Sequence, residues 1–188
     1  MIAMKRSSPN GWMWTGVLPM NAFAQACKVE EASWKVLKPY LMSWAQDGMV
    51  VTTGKGRLSR ELQKQYGDVF LNSRRTGQLL AIELKAERIG RETLFLETYS
   101  NRPRGTVGWM KTLNADWLLY HFLDRNELIC IDFQKLKRWF WQDDTYTRFR
   151  DVKQSRYNQL NETWGKSVPI REIPFAIRMN LEEFGHVS

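Results

Sequence analysis

The sequence predicts a mixed α/β (α+β) domain with a sheet at its centre and helices around it. Three observations predict it. Residues 68–73 (DVFLNS), 79–86 (LLAIELKA) and 93–100 (TLFLETYS) are short apolar runs joined by turns that contain Gly77 and Gly90, the pattern of consecutive strands. Apolar residues at helical spacing stand before them, in 29–44 and 58–66, and a further helical pattern follows. With 188 residues, 43% of them hydrophobic, the chain can bury one substantial core but hardly two. The reading is one domain, 1–188, made of an N-terminal helical extension (1–54), a core (55–140) and a basic, aromatic C-terminal extension (141–188).

In the first extension, Val29, Val36, Leu37, Tyr40, Leu41 and Trp44 recur on one face, which predicts a helix kinked or broken at Pro39. "MVVTT" is a short strand or a connection, and "GKGR" is a turn signal. Leu58, Leu62 and Tyr66 mark one face of a short helix, with Gly67 where a C-terminal cap is expected. The three strand runs follow, expected as an antiparallel meander. "TLNADWLLYHFLD" is long and almost continuously apolar, which predicts a buried helix starting near Thr112 or Asn114. "ELICIDF" (127–133) reads as a fourth strand and "QKLKRWFW" as a helix. The core order is therefore helix, strand, strand, strand, helix, strand. Two prolines in "SVPIREIPFAIRMNL" confine any strand there to a sheet edge.

Lys and Arg number 28 against 20 Asp and Glu, a formal charge of +8 that favours a polyanionic partner, nucleic acid first. The cations are spread along the chain, unlike a lipid-binding polybasic tail, and no apolar run approaches a membrane span. Cys27 and Cys130 have no metal-ligand spacing and suggest no disulfide framework, so the cytosol is the natural compartment and a soluble, unprocessed protein is expected. Two histidines, His121 and His186, leave little room for histidine-based zinc sites or serine triads. His121 is expected to be a hydrogen-bonded core residue. Hydrolytic chemistry would have to rest on carboxylates and lysines.

Such residues meet in "LLAIELKA". Alternate strand side chains face opposite sides, so Leu80, Ile82, Leu84 and Ala86 make an apolar face and Glu83 and Lys85 share the other. A buried charge costs several kcal/mol unless it is paired or bound to a metal. Asp68 opens the preceding run and can lie beside Glu83 if the two strands pair. Adjacent carboxylates repel, and a divalent cation with oxygen ligands, Mg²⁺ rather than Zn²⁺, stabilises both. Glu61 and Gln65 on the preceding helix, and Glu97 on the next strand, could approach the same cleft, although Glu97 reads better as a cross-strand partner. A second acid-x-Lys pair, Asp151 and Lys153, lacks an apolar strand and an upstream acid and is rejected.

The conjunction resembles the PD-(D/E)XK nuclease superfamily, the restriction-endonuclease-like fold of many restriction enzymes, junction resolvases and phage exonucleases. That family surrounds its metal with a helix-borne acid, an Asp heading one strand and an acid-x-Lys on the next, on a core of order α-β-β-β-α-β. Glu61, Asp68, Glu83 and Lys85 occur here in that sequence, and the resemblance covers about residues 55–140. Gly67 rather than Pro precedes Asp68. The resemblance implies Mg²⁺ (or Mn²⁺) held by Asp68, Glu83 and the Leu84 carbonyl, Lys85 positioning the attacking water or neutralising the phosphate, and Glu61 orienting a second metal or its waters.

DNA is the expected substrate. Arg102, Arg104 and Lys111 accompany Trp109 after the third strand, while Arg148, Arg150, Lys153 and Arg156 alternate with Tyr146, Phe149 and Tyr157. Cations for phosphates and rings for unpaired bases suit a surface that reads nucleic-acid structure rather than sequence. A non-catalytic nucleic-acid-binding protein on the same fold explains charge and rings equally well. A third reading gives the tryptophans near both ends (Trp12, Trp14, Trp34, Trp44, Trp139, Trp141, Trp164) a partner or a second copy to bury against. A homodimer is also compatible with a nuclease that cuts two strands.

Overall fold

Side chains of the inner strands alternate between two apolar clusters, and that alternation builds the molecule around one central sheet. The computed structural model describes residues 22–52, 56–154 and 162–184. In chain order the first half contains α1 (Ala22–Trp44), β1 (Ala45–Val51), α2 (Arg57–Tyr66), β2 (Val69–Ser73), β3 (Leu79–Glu87), β4 (Thr93–Asn101) and β5 (Thr106–Val107). The second half contains α3 (Trp109–Thr112), β6 (Trp117–Phe122), β7 (Glu127–Asp132), α4 (Phe133–Phe140), α5 (Asp143–Arg148), β8 (Asp151–Gln154), β9 (Thr163–Pro169), β10 (Ile177–Asn180) and α6 (Leu181–Phe184). Two sheets result, a six-stranded one of order β1-β2-β3-β6-β7-β10 and a four-stranded one of order β5-β4-β9-β8.

The larger sheet is mixed: β3 and β6 are parallel, and its other neighbours are antiparallel. On one face Ile82, Leu119, Leu128 and Cys130 pack with Leu37 and Leu41 of α1. On the other, Leu118, Tyr120, Ile129 and Ile131 pack with Leu94 and Leu96 of β4 and with Phe133, Leu136 and Phe140 of α4. The sheet is thus covered on both sides, by a helix on one and by the second sheet with α4 on the other. Among the described residues no helix is long and apolar enough to cross a membrane.

The expected mixed α/β class is present, with four differences of detail. The run 112–124 is not a helix. Trp109–Thr112 form a helical turn at its start, Leu123–Arg125 a 3-10 turn at its end, and Trp117–Phe122 between them are the central strand β6, buried from both sides. A strand covered on both faces loses its alternation and reads as a continuous apolar run, which periodicity cannot tell from a buried helix. The three strand runs do not form one meander: β2 and β3 pair antiparallel, but β6 takes the other edge of β3 and β4 joins the second sheet. Helix α1 runs unbroken through Pro39. Pro39 and Lys35, whose carbonyl loses its partner, lie on the exposed side where water can replace the bond. Finally, β9 is an inner strand although β10 is an edge, because Pro169 occupies the last position of β9, where the missing N–H interrupts little.

The tryptophans within the described residues are used internally. Trp34 and Trp44 pack against the α1 cluster, Trp139 and Trp141 against the other, and Trp164 lies 4.6 Å from the Arg102 guanidinium. Trp12 and Trp14 lie outside the described residues. His121 is fully buried, on β6 rather than on a helix, with Nδ1 hydrogen-bonded to Ser33 Oγ at 2.9 Å. The expected core role holds. The second acid-x-Lys pair is structural, with Asp151 bound to Lys166 and Lys153 to Glu162.

The passage from α2 into β2 positions the candidate site. Gly67 closes α2, its N–H donating to the Gln63 carbonyl at 2.9 Å, with φ 106° and ψ −165°. Only glycine adopts that region freely, and a proline, fixed near −65°, cannot stand there. A Cβ at this position would meet the Ile82 carbonyl oxygen at 2.7 Å. Thr52 grips the same turn, Oγ1 donating to the Gly67 carbonyl at 2.7 Å and its N–H to the Asp68 carbonyl at 2.9 Å. Gly67→Ala is expected to cost about 1–3 kcal/mol of unfolding free energy, readable as a lowered urea midpoint at unchanged m-value.

Candidate active site

Register does most of the positioning. Val69 of β2 stands opposite Ile82 of β3, so Asp68, one residue earlier, falls level with Glu83 and Leu84. The Asp68 N–H donates to the Ile82 carbonyl at 2.8 Å, and its carboxylate accepts the Leu84 N–H through Oδ2 at 2.9 Å. Oδ1 accepts from Gln63 Nε2 of α2 at 2.7 Å. Backbone and side chain of Asp68 are both tied to β3.

Glu83 and Lys85 project from β3 on the side of Leu118 and Tyr120, their partners in the parallel pairing with β6. Glu83 is buried, 5% exposed, and its Oε1 is bound by Lys85 Nζ. The Lys85 side chain is 34% exposed, and its ammonium lies 5.6 Å from the centre of the Trp109 ring. Asp68, Glu83, Leu84 and Lys85 line one cavity of about 750 Å³, together with Glu30 and Trp34 of α1, Gln63 and Lys64 of α2, Glu97 of β4 and Trp109 of α3.

Glu30, Asp68, Glu83 and Glu97 therefore share this cavity with the Lys85 ammonium, and the electrostatics follow. Burial pushes the Glu83 carboxyl up to about 7 against the attraction of Lys85, with Asp68 and Glu97 adding to the rise. Burial alone would push Lys85 toward its neutral form, but Glu83 first, then Asp68 and Glu97, hold it protonated. Glu30 is raised by burial, opposed by Lys85 and reinforced by Asp68. Glu97 is raised by burial, opposed by Lys85 and by a hydrogen bond from the Trp109 N–H. The excess negative charge is what a cation would relieve.

Two expected contributors lie elsewhere. Glu61 is exposed on α2, paired with Arg57 Nε at 2.9 Å, and does not line the cavity. Gln65 is exposed as well, and Gln63, two residues away, is the α2 residue that reaches Asp68. A ten-residue helix presents successive residues 100° apart, and spacing alone left the inward face undecided. Glu30 was missed, although it carries a sequence signal: it shares a face with Ser33, Trp34, Leu37 and Leu41, an acid on an otherwise apolar stripe.

The basic surface divides. Arg102 and Arg104 are exposed in the β4–β5 turn, whose neighbours Ser100, Thr106 and Val107 line the cavity. Lys111, exposed on α3, lies 5.0 Å from the Trp141 ring and stands two residues from Trp109. Arg148 instead pairs with Glu172 at 3.3 Å, and Arg150 is exposed, on elements that contribute nothing to the cavity. The rings expected to alternate with them turn inward: Phe149 is buried in the core and Tyr146 stacks on Trp141 at 5.0 Å. Arg156 and Tyr157 lie outside the described residues.

Among the described residues no three His, Cys, Asp or Glu side chains are gathered closely enough to form a ready metal cluster. The donor chemistry nevertheless fits a hard cation: the anionic groups are all carboxylate oxygens, with no histidine or cysteine thiolate positioned among them apart from exposed Cys27 at the rim. No family model matches this sequence, and neither a curated protein nor a solved structure matches it.

A cation held by Glu83 requires its ionised form, and the raised value lies near 7, so any Mg²⁺ binding there would strengthen as pH rises through that value. Calorimetric titrations should give about tenfold weaker binding at pH 6 than at pH 8, with proton release on binding below pH 7.

Proposed function

We propose that this protein is a Mg²⁺- or Mn²⁺-dependent nuclease that hydrolyses DNA phosphodiester bonds, directed by DNA structure rather than base sequence, and that it acts in the cytosol. The observation that carries the reading is the meeting of Asp68, Glu83 and Lys85 in one cavity, backed by Glu30 and Glu97. Asp68 and Glu83, with the Leu84 carbonyl, would hold the ion. A bound divalent cation lowers the pKa of a water ligand and stabilises charge on a phosphate.

This chain's own residues would do the rest. Gln63 and the Leu84 N–H fix the Asp68 carboxylate, so that it needs little reorganisation to bind. Lys85, held protonated by its neighbours, supplies a positive charge where a scissile phosphate would bring negative charge. Arg102, Arg104 and Lys111 flank the opening and would contact backbone phosphates without reading bases. Trp109, half-buried in the wall beside Lys85, offers a ring face to an unpaired base, which supports action on frayed, branched or single-stranded DNA. Arg148 and Arg150, remote from the cavity, have a weaker claim to that surface.

One observation favours a second reading, a non-catalytic nucleic-acid-binding protein. The Lys85 ammonium already binds Glu83, so that carboxylate has a cationic partner without metal. Metal dependence separates the two, since a binder shifts DNA equally well in chelator.

Asp68→Asn and Lys85→Ala should each reduce cleavage of single-stranded or junction DNA at least about 100-fold, while gel-shift affinity changes less than threefold. Retained cleavage in either variant would reject the assignment. Arg104→Ala with Lys111→Ala should weaken binding and lower its salt slope by about 2, whereas Arg148→Ala should leave both nearly unchanged.

A further inference from the structure

Glu97 reaches the cavity from the four-stranded sheet, not from the strands that carry Asp68, Glu83 and Lys85. Its place is fixed from several directions. The Trp109 N–H donates to it, and the preceding Gly108 N–H donates to the Thr98 carbonyl at 2.8 Å. Gly108 also lies so close that a Cβ there would meet the Glu97 carbonyl oxygen at 2.7 Å and Cγ at 2.8 Å. Across the sheet its opposite residue is Gly165, which adds no side chain to displace it. A half-buried acid braced in this way serves no ion pair within 4.0 Å among the described residues.

Lys85 supplies the missing partner. Its ammonium is bound to Glu83 Oε1 and lies 5.6 Å from the face of Trp109, the residue whose N–H holds Glu97. A divalent cation that takes Glu83 must displace that ammonium. Left without an anion beside the Trp109 ring, the displaced charge would stand unpaired in a partly desolvated site. Glu97 lines the same cavity and already feels the Lys85 charge, so a swing of the flexible lysine stem past the indole would bring the ammonium toward it.

Resting on the reading of this cavity as a divalent-metal centre, we propose that Glu97 is a positioning residue that receives the Lys85 ammonium when the cation takes Glu83. The exchange keeps every charge paired in both states. It also moves the lysine to the β4 side of the cavity, next to the turn that carries Arg102 and Arg104. Glu97 touches neither metal nor phosphate in this account and acts through Lys85 alone.

The test is a double-mutant cycle read by calorimetric Mg²⁺ titration, without DNA and without turnover. Glu97→Gln, close to isosteric, should weaken Mg²⁺ binding about tenfold, the size of a coupling between neighbouring charged groups. In a Lys85→Met background the same substitution should change affinity less than about twofold. Glu97→Asp should recover part of the loss, and it carries the test if Glu97→Gln fails to melt cooperatively. Undiminished Mg²⁺ affinity in Glu97→Gln overturns the inference and leaves the metal centre standing. An equal loss with and without Lys85 also overturns it, by making Glu97 a direct ligand. A wild-type protein that binds no Mg²⁺ removes the metal centre itself, and the inference with it.

Discussion

The antiparallel register between β2 and β3 is the constraint on which the site depends. With Val69 opposite Ile82, the carboxylate of Asp68 reaches the Leu84 N–H, and Glu83 and Lys85 emerge beside it. A slip of one residue would turn Glu83 and Lys85 toward Leu37 and Leu41 and put apolar side chains such as Ile82 in their place. Burial of the apolar face against α1 therefore enforces the chemistry of the polar one. Gly67 and Thr52 lock the same register from the chain preceding β2.

That register concentrates negative charge. Burial raises the energy of the ionised state of Glu83, Glu30 and Glu97, and for Glu83 and Glu30 the neighbouring acids add to the rise. The protein meets this in the simplest way, by holding Lys85 charged. The molecule as a whole is strongly basic, with a formal charge of +8, so the acidic cavity is a local exception within a cationic surface. On the proposed reading, the basic surface would attract a polyanion and the acidic cavity a small cation, the combination that metal-assisted phosphodiester chemistry requires.

Much of this was legible from residue order alone. The short β2 and β3 strands, the cap at Gly67, and the shared face of Glu83 and Lys85 follow from period-two alternation and turn chemistry, both local properties. What was illegible is non-local. Nothing in the apolar run Trp117–Phe122 distinguishes a strand buried on both faces from a helix, because the difference lies in what covers it. The departure of β4 into a second sheet depends on β6 competing for the edge of β3. Glu30 belongs to a helix far from the motif in sequence, and Gln63 rather than Glu61 faces Asp68 because of how α2 is rotated. The aromatic C-terminal segment shows the opposite error, in which rings assigned to a nucleic-acid surface belong to the core.

The central claim is that Asp68 and Glu83 share one divalent ion, and crystals soaked in Mn²⁺ test it most directly through anomalous scattering. The account predicts a single strong peak bonded to both carboxylates, at roughly 2.0–2.3 Å, with the Leu84 carbonyl as a further ligand. Full carboxylate occupancy with no peak between them at millimolar Mn²⁺, and Lys85 still on Glu83, would contradict it.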